Sequence, residues 1–325
     1  LRRGLSAYLT KYGYLAPQSY SIHSSPLQTL DAAIIKLQAF AGLEQTGEID
    51  RETEQVMMMR RCGVKDIQED YPENLSLLSK LSRHKRYALQ GSRWKTKTLT
   101  YKISKYPSNR LLNVRDVELT MKKALDIWAI KTNLRFVKSS GDAHLDIRFE
   151  WRAHGDEDSF DGKRGTLAHA FFPIYGGDVH FDDDEDWTVN SFRGTSLLMT
   201  ASHELRHSLG LAHSNVKGSL MSPWYSGYRS DLSLHSDDVG GIQALYGKKD
   251  DSQVRNIDKD INIRSFLNPT TSPPSSPSST QSTPSTPTSF ICRGYLDTMV
   301  TTSNGFTYAF LGGKYWKLSD TAVEP

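Results

Sequence analysis

The chain has 325 residues, with 40 Lys and Arg against 37 Asp and Glu and a formal net charge of +3. It has no run of five basic residues and no run of 18 apolar ones, which argues against nucleic-acid binding and a membrane span. This length favours two or three domains. Cys62 and Cys292 are its two cysteines, too few for a disulfide scaffold, although a bond between them is one interpretation.

Helical patterns come first in the chain. Apolar residues from Leu30 to Ala41 recur at helical spacing, and a second short helix is predicted over residues 53–59. These two elements predict a small helical domain at the front of the chain.

A basic tetrad closes this region, namely Arg83, His84, Lys85 and Arg86. A solvated charge cluster is one interpretation. The tetrad lies between two patterned regions and ends in the Lys-Arg pair that secretory convertases recognise, so we expect cleavage after Arg86.

The central region mixes strands and helices. Alternation over 99–103 and 145–149 predicts half-buried strands, and the spacing over 114–128 predicts a helix behind Asn113. Two more helices are predicted over 195–210 and 236–246, the second beginning with Ser236 as its N-cap and ending before Gly247. A mixed α and β domain follows from this order.

A low-complexity stretch follows. Between residues 270 and 289 every residue except Gln281 is Ser, Thr or Pro, which is typical of an extended, solvated linker. Behind it, residues 306–311 and 314–318 resemble strands, and the 36 residues from 290 onward are too few for an independent domain.

Residues 203–213 contain candidate zinc ligands and a candidate general base. His203 and His207 are four residues apart and share one face of a helix, while Gly210 lets the chain turn so that His213 supplies a third ligand. Three nitrogens leave one tetrahedral position for water, as in a catalytic zinc site. Zinc lowers the pKa of that water to about 7, and Glu204 is placed to take its proton.

Chance does not explain this motif well. A shuffled chain would hold the two histidines and the glutamate about once in a hundred, and Gly210 and His213 reduce this to a few in a hundred thousand. Surface histidines on an amphipathic helix are the alternative. Met221, in a turn that ends at Pro223, is expected beneath the imidazoles, although alone it would be an ordinary core residue.

The motif with its Met-turn resembles the metzincins, and residues 213–214 and 220–223 look like the matrix metalloproteinases, especially the insect secreted type. Residues 61–66, 240–247 and the linker follow in family order. The resemblance implies an α+β fold, with a zincin catalytic domain of a twisted mixed sheet and three helices. Its implied bounds are a helical prodomain (1–86), the catalytic domain (87–248), a linker (249–290) and an incomplete hemopexin-like propeller (291–325).

A second metal-rich stretch lies before the motif. His154, Asp156, His169 and His180 offer four ligands with no vacancy, which suits a closed structural zinc, and the resemblance implies the same. It also implies calcium, with the ligands Asp161, Asp182 and Glu185, the carbonyls of Gly162, Arg164 and Thr166, and Asp178 at another ion. An acidic, solvated loop is the alternative. Arg164 stands where the family commonly has Gly.

Cys62 is the candidate for latency. A thiolate can occupy the open zinc position and displace the water, and the resemblance implies this cysteine switch. Arg60 and Lys65 replace the usual prolines, so a less rigid segment is expected. By resemblance, Cys292 is half of the disulfide that closes a propeller.

Substrate binding in the family uses backbone pairing along the strand at residues 165–170. The resemblance implies substrate contacts from five residues: Leu167, Ala168, Met199, Pro223 and Tyr225. An apolar P1′ residue, the first after the cleaved bond, is expected. Met199 is alternatively an ordinary core residue.

The sequence thus favours a secreted, latent, zinc- and calcium-dependent endopeptidase of extracellular matrix proteins. Its implied partners are a furin-like convertase and tissue-inhibitor-type proteins, with no nucleic acid, and a membrane anchor beyond residue 325 stays open. An inactive zinc-binding module and a matrix-adhesion protein are the alternatives. After cleavage, the Tyr87 ammonium is expected to pair with Asp237 and Asp238. Arg206, where the family usually has Gly, is expected to crowd or repel the zinc site.

Overall fold

The computed structural model describes residues 2–16, 29–67, 89–108, 112–156 and 158–250, and the strands between residues 298 and 324. The chain divides into two compact units, residues 1–262 and 263–325. This boundary lies inside the predicted linker, while the predicted domain boundary at residues 86 and 87 and the basic tetrad lie outside the described residues.

Three helices form the front of the first unit: α1 (Arg2–Lys11), α2 (Leu30–Ala41) and α3 (Arg51–Met57). Thr29 and Asp50 cap α2 and α3 by accepting backbone N–H bonds. Helix α3 begins earlier than the predicted residue 53 because Asp50 caps it there. Leu9, Tyr14 and Leu37 are buried where α1 and α2 meet, so this region has its own small core.

A six-stranded mixed sheet follows. In spatial order its strands are β1 (Arg61–Cys62), β5 (Thr166–Ala170), β6 (Val179–Asp182), β4 (Leu145–Glu150), β2 (Thr98–Lys105) and β3 (Arg135–Lys138). Only β5 and β6 run antiparallel to each other. Strand β1 belongs to the front region, so that region extends the sheet. A parallel pair, β7 (Trp187–Thr188) and β8 (Thr195–Ser196), and a short 3₁₀ helix (Pro173–Tyr175) complete the β region.

Helices α4 (Val114–Ala129), α5 (Leu197–His207) and α6 (Ser236–Tyr246) complete the domain. Asn113 caps α4 as predicted. His235, not Ser236, is the N-cap of α6, because its ring accepts the Asp237 N–H while the Asp238 carboxylate accepts the His235 N–H.

The main core lies between the sheet and helices α4 and α5. Buried side chains such as Ile147 and Phe149 of the sheet meet Met121 of α4 and Leu205 of α5. Burial of this apolar surface holds α5, which carries the predicted zinc motif, flat against the sheet. The predicted mixed sheet with three helices is therefore confirmed.

The second unit contains four antiparallel strands, β9 (Thr298–Thr301), β10 (Thr307–Leu311), β11 (Lys314–Leu318) and β12 (Val323–Glu324). They confirm the strand patterns predicted behind the linker. A hemopexin-like propeller stays a prediction, and Cys292 lies outside the described residues.

Candidate active site

Three histidines converge in the first unit. Nε2 of His203 lies 3.1 Å from Nε2 of His207 and 3.2 Å from Nε2 of His213, and all three residues are buried. The i, i+4 spacing on α5 brings the first two together. Gly210, at φ 100°, turns the chain after the helix, and a Cβ there would lie 2.2 Å from the Ser92 carbonyl oxygen.

The opposite nitrogen of each ring has its own partner. Nδ1 of His203 lies 2.7 Å from the Leu220 carbonyl oxygen, and Nδ1 of His207 lies 2.6 Å from that of Leu211. A carbonyl only accepts, so each Nδ1 carries the proton and each Nε2 presents a lone pair toward the centre. Nδ1 of His213 faces Asp66 Oδ1 at 2.7 Å.

Electrostatics keep this cluster neutral. Burial, reinforced by His213, lowers the pKa of His203 to about 3, and burial also lowers the pKa of His207. Three neutral imidazoles whose lone pairs meet within 3.2 Å repel one another unless a cation lies between them. The donor set therefore fits zinc, with Cys62 close enough to be a fourth ligand.

The Met-turn is attached to the ligand segment. Met221 is buried, its N–H donates to Ser219 Oγ at 3.0 Å, and its carbonyl accepts the Ser214 N–H at 2.8 Å. The preceding carbonyl, of Leu220, is the one that orients His203. The turn thus fixes the His203 ring by a hydrogen bond, and the expected position of Met221 beneath the imidazoles stays a prediction.

Glu204 lies beside the cluster, completely buried. Its Oε2 accepts a hydrogen bond of 3.3 Å from the Cys62 thiol, while its Oε1 has no partner among the described residues. Burial raises the pKa of Glu204 to about 8, and burial together with Glu204 raises the pKa of Cys62 well above its usual range. While the thiol fills the cleft, burial thus favours the protonated form of the Glu204 carboxyl.

The segment around Cys62 fills the cleft. Its backbone bonds to both walls: Cys62 N–H donates to the Pro223 carbonyl at 2.9 Å, and Gly63 N–H donates to that of Ala168 at 2.8 Å. A Cβ at Gly63 would lie 2.8 Å from Thr166 Cγ2, so this close approach requires glycine. Among the described residues Cys62 is a free, buried thiol, and Cys292 lies outside them.

A buried ion pair holds the segment in shape. The Arg61 guanidinium donates to both carboxylate oxygens of Asp66, at 2.6 and 2.7 Å, and stacks 3.4 Å from the centre of the Tyr12 ring. Its Nη1 also donates to the Tyr8 hydroxyl. The switch is thereby attached to α1 and to the loop that follows it.

A second histidine cluster gathers the four residues of the predicted structural zinc site. Asp156 Oδ2 lies within 3.0 Å of a ring nitrogen of each of His154, His169 and His180. Burial and the neighbouring His169 lower the pKa of His180 to about 4. Three imidazoles and one carboxylate are a closed N₃O donor set, which fits zinc.

The predicted calcium ligands lie in an acidic loop. Asp182 Oδ2 is buried without a partner among the described residues, and burial together with Asp184, Glu185 and Asp161 raises the pKa of Asp182 to about 6. Such crowding of carboxylates fits a cation. In the described part of the chain these acids do not converge as closely as the two histidine clusters.

The other predicted calcium positions also fall in this region. Gly162 and Arg164 have φ of 84° and 72°, and Arg164 donates its N–H to Glu185 Oε1. A non-glycine residue is strained at such an angle, which explains why Gly suits position 164. Thr166 N–H donates to Asp161, and Asp178 lies apart from these acids, accepting from the Asp146 N–H.

A cavity of about 40 Å³ lies next to Cys62 and Glu204. Of the predicted substrate residues it is lined by Leu167, Met199, Pro223 and Tyr225, and sequence reasoning missed Thr200 and Trp224. Ala168 instead contributes the carbonyl that binds Gly63. Met199 also packs in the core with Leu209 and Ile242, so its interpretation as a core residue is confirmed, while its contact with substrate stays a prediction.

The burial and the pairing of Arg206 were not expected from the sequence. It is 1% exposed, its guanidinium bonds to the Asp238 side chain and carbonyl, and it lies 4.9 Å from the centre of the Trp128 ring. A buried carboxylate and an aromatic face compensate much of this cation. Its charge still contributes to the lowered pKa of His203 and of His207, so the expected effect of Arg206 on the zinc site stays a prediction. No local pattern marked the contact, whose partners are 32 residues apart.

Asp238 is fully engaged in this network, since it also accepts from Ser219 Oγ and from the N–H groups of Leu220 and His235. Asp237 Oδ1, by contrast, is buried without a partner among the described residues. Asp237 thus offers an open acceptor, and the expected pairing of the Tyr87 ammonium with Asp237 and Asp238 stays a prediction. Tyr87 lies outside the described residues.

Comparison with known proteins gives two family matches. Residues 93–247 match the matrixin model, and residues 2–57 match the model of a putative peptidoglycan binding domain, which covers the front helices. No helix in the described part of the chain is long and apolar enough to cross a membrane.

Several curated proteins are similar. Matrix metalloproteinase-25 of Homo sapiens is 40% identical over 255 residues, 74% of this chain and 44% of that protein. Macrophage metalloelastase of Rattus norvegicus is 41% identical over 76% of this chain and 48% of its own length. Matrix metalloproteinase-19 of Homo sapiens is 36% identical over 98% of this chain and 58% of its own length. The chain thus spans about half the length of the curated relatives it matches.

Proposed function

Because residues 93–247 are a matrixin domain and the chain belongs to the matrix metalloproteinases, we propose that it is a zinc- and calcium-dependent endopeptidase that is latent while its front domain is attached. The observation that carries the proposal is the Cys62 thiol, which lies against both Glu204 and His207. It thus occupies the place where a substrate would react.

His203, His207 and His213 would hold the catalytic zinc, with Cys62 as fourth ligand in the latent chain. When bound, zinc supplies a Lewis acid that polarises a peptide carbonyl and acidifies water. Glu204 acts as general base toward the attacking water and then delivers that proton to the departing amine nitrogen. Its Oε1 has no partner among the described residues, so this oxygen is free to accept a proton.

The cavity walls support an apolar P1′ preference. Leu167, Met199, Pro223 and the Tyr225 ring present mainly carbon to it, and no described charged side chain other than Glu204 lines it. An aliphatic side chain such as Leu would be desolvated there at little cost. A charged P1′ side chain would lose its water without gaining a partner.

The remaining assignments extend the proposal. The cluster of His154, Asp156, His169 and His180 would hold the structural zinc, and the acidic loop at residues 161–185 would hold calcium. Processing after residue 86 by a furin-like convertase, inhibition by tissue-inhibitor-type proteins and secretion to act on extracellular matrix proteins also belong to the proposal. These last assignments are supported only by membership of the matrix metalloproteinase family.

Zinc content and cleavage of a quenched peptide with Leu at P1′, measured before and after convertase treatment, test the function. We expect two zinc ions per chain and strong activity only after the cut. Glu204→Ala is the matched control, since it keeps every ligand. A cut, zinc-loaded chain that cleaves no peptide would favour the inactive zinc-binding module instead.

A further inference from the structure

Arg60, which stands where the family usually has Pro, makes specific contacts with the cleft wall. Its Nη1 donates to Thr195 Oγ1 at 2.9 Å and to the Gly194 carbonyl at 3.3 Å. Its guanidinium carbon lies 4.8 Å from the centre of the Tyr225 ring. A hydroxyl, a carbonyl and an aromatic face therefore surround one cation.

The receiving groups are held rigidly. Thr195 is 1% exposed and its hydroxyl donates to Glu185 Oε2 at 2.9 Å, so its oxygen offers a lone pair to Arg60. The Tyr225 hydroxyl accepts the Ser196 N–H at 2.7 Å, which fixes the ring beside the start of α5. At Gly194, a Cβ would lie 2.5 Å from the Asp186 carbonyl oxygen, so that turn is fixed too.

This wall belongs to the substrate cleft. Arg60 lies two residues before Cys62, and its carbonyl accepts the Tyr225 N–H at 2.9 Å. Tyr225 also lines the proposed P1′ cavity. A substrate whose backbone accepts the Tyr225 N–H, as Arg60 does, would bring one of its side chains to Gly194, Thr195 and the Tyr225 ring. These acceptors thus lie on the side of the cleaved bond that carries the P1′ residue.

We infer that Gly194, Thr195 and Tyr225 form a cation-accepting subsite, filled by Arg60 in the latent chain and by an Arg or Lys side chain of the substrate after cleavage. The inference rests on the proposed endopeptidase function. The ligand class follows from the acceptors, since a guanidinium or ammonium satisfies hydroxyl, carbonyl and ring face together. An acidic side chain would meet only lone pairs and π electrons.

Matched quenched peptides test the subsite in the cleaved enzyme. All carry Leu at P1′, and Arg, Gln or Glu stands at the second or the third position after the cleaved bond. We expect kcat/KM to be about 3- to 30-fold higher for Arg than for Gln at one of these positions, and lowest for Glu. Equal values for Arg and Gln at both positions would overturn the subsite and leave the endopeptidase function standing.

Variants at Thr195 locate the effect. Thr195→Val removes the acceptor and should reduce the Arg/Gln ratio, whereas Thr195→Ser keeps the hydroxyl and should retain it. Because the ratio is taken within each enzyme, a general loss of activity does not disturb the comparison. An undiminished ratio in Thr195→Val would assign the preference to other residues and contradict the inference.

The latent chain gives a readout that needs no catalysis. Arg60→Ala should raise the rate at which iodoacetamide alkylates Cys62 by about 3- to 30-fold. Peptide mapping measures this rate. Arg60→Lys should raise it less, and Arg51→Ala, an exposed change on α3, should not raise it. If no peptide is cleaved, the proposed function fails, while the alkylation rates still decide whether Arg60 is bound. An unchanged rate in Arg60→Ala would overturn the cation site.

Discussion

The Asp66 carboxylate of the front domain lies 2.7 Å from Nδ1 of His213, the histidine that follows the active-site helix. The same carboxylate forms the bidentate pair with Arg61. Burial lowers the pKa of His213, and Asp66 counteracts that effect. The front domain thus places a thiol beside the histidine cluster and a carboxylate against one of its rings.

We expect Asp66 to strengthen zinc retention in the latent chain. In a Cys62→Ser background, which removes the thiol, Asp66→Asn should weaken zinc binding by about 10- to 100-fold, because the outer carboxylate of a ligand histidine is lost. Competition with a chromophoric chelator measures this. Arg61→Lys keeps the carboxylate and is the control, and equal losses in the two variants would point to a folding defect of the segment.

Latency should depend on the fit of the switch segment as well as on the thiol. Cys62→Ser should make the uncut chain cleave a small peptide, since a hydroxyl is a poor zinc ligand. Gly63→Ala should do so too, because its methyl group would collide with Thr166 and His169. Peptide turnover of uncut protein, checked for the absence of cleaved chain, measures both. An uncut Cys62→Ser protein that stays silent would contradict the switch.

Glu204 should be needed for proton transfer, whereas the three histidines should be needed for zinc binding. Glu204→Ala should keep the zinc while turnover falls by roughly 10² to 10⁴, the usual contribution of a general base. His203→Ala, His207→Ala or His213→Ala should instead reduce the zinc content. Metal analysis beside kcat/KM tests the division, and equal zinc loss in all four variants would argue against it.

Arg206 should prove stabilising. Arg206→Gly leaves the Asp238 carboxylate buried without its cation and should lower the free energy of unfolding by about 3–5 kcal/mol. A double-mutant cycle with Arg206→Met and Asp238→Asn isolates the pair, and urea denaturation measures each variant. A stability gain in Arg206→Gly would restore the view that this cation strains the site.

The pH dependence of the metal-free latent chain should show the buried Glu204. Its pKa is about 8 in the folded state and 4.5 ordinarily, so between these values the folded chain holds a proton that the unfolded chain releases. Stability from this group therefore falls as pH rises from 4.5 to 8, by on the order of 2–5 kcal/mol. Glu204→Gln should lack this decline in urea titrations.

Glu44→Gln, at an exposed position, is the matched control for the loss of a carboxylate. Parallel stability curves for Glu204→Gln and the unchanged chain across pH 4.5 to 8 would show that the carboxyl is not held in its protonated form.

Local patterns predicted much of this molecule. The i, i+4 spacing of His203 and His207 places two ligands on one helix face whatever the rest of the fold does, and Gly210 marks the turn to the third. Strand alternation and the Asn113 cap likewise depend on neighbours in sequence. Such features need no knowledge of the tertiary contacts.

Contacts between distant segments could not be predicted this way. Arg206 and Asp238 meet across 32 residues, and Arg60 and Thr195 across 135. At both positions the sequence showed a departure from the family pattern and gave no sign of the partner. His235 was missed for another reason, because a ring nitrogen is an uncommon cap and the adjacent Ser236 has the more usual chemistry.

The pairing of β1 with β5 joins segments about a hundred residues apart within one chain. While the backbone between them is continuous, the segment that carries Cys62 is present in the cleft at the high effective concentration of a tethered ligand. One cut between Ile67 and Leu89 would leave the described contacts in the cleft unchanged yet make the association of the two segments bimolecular. Dilution alone would then favour separation, so the cleft would open at low protein concentration although no bond in it had been weakened.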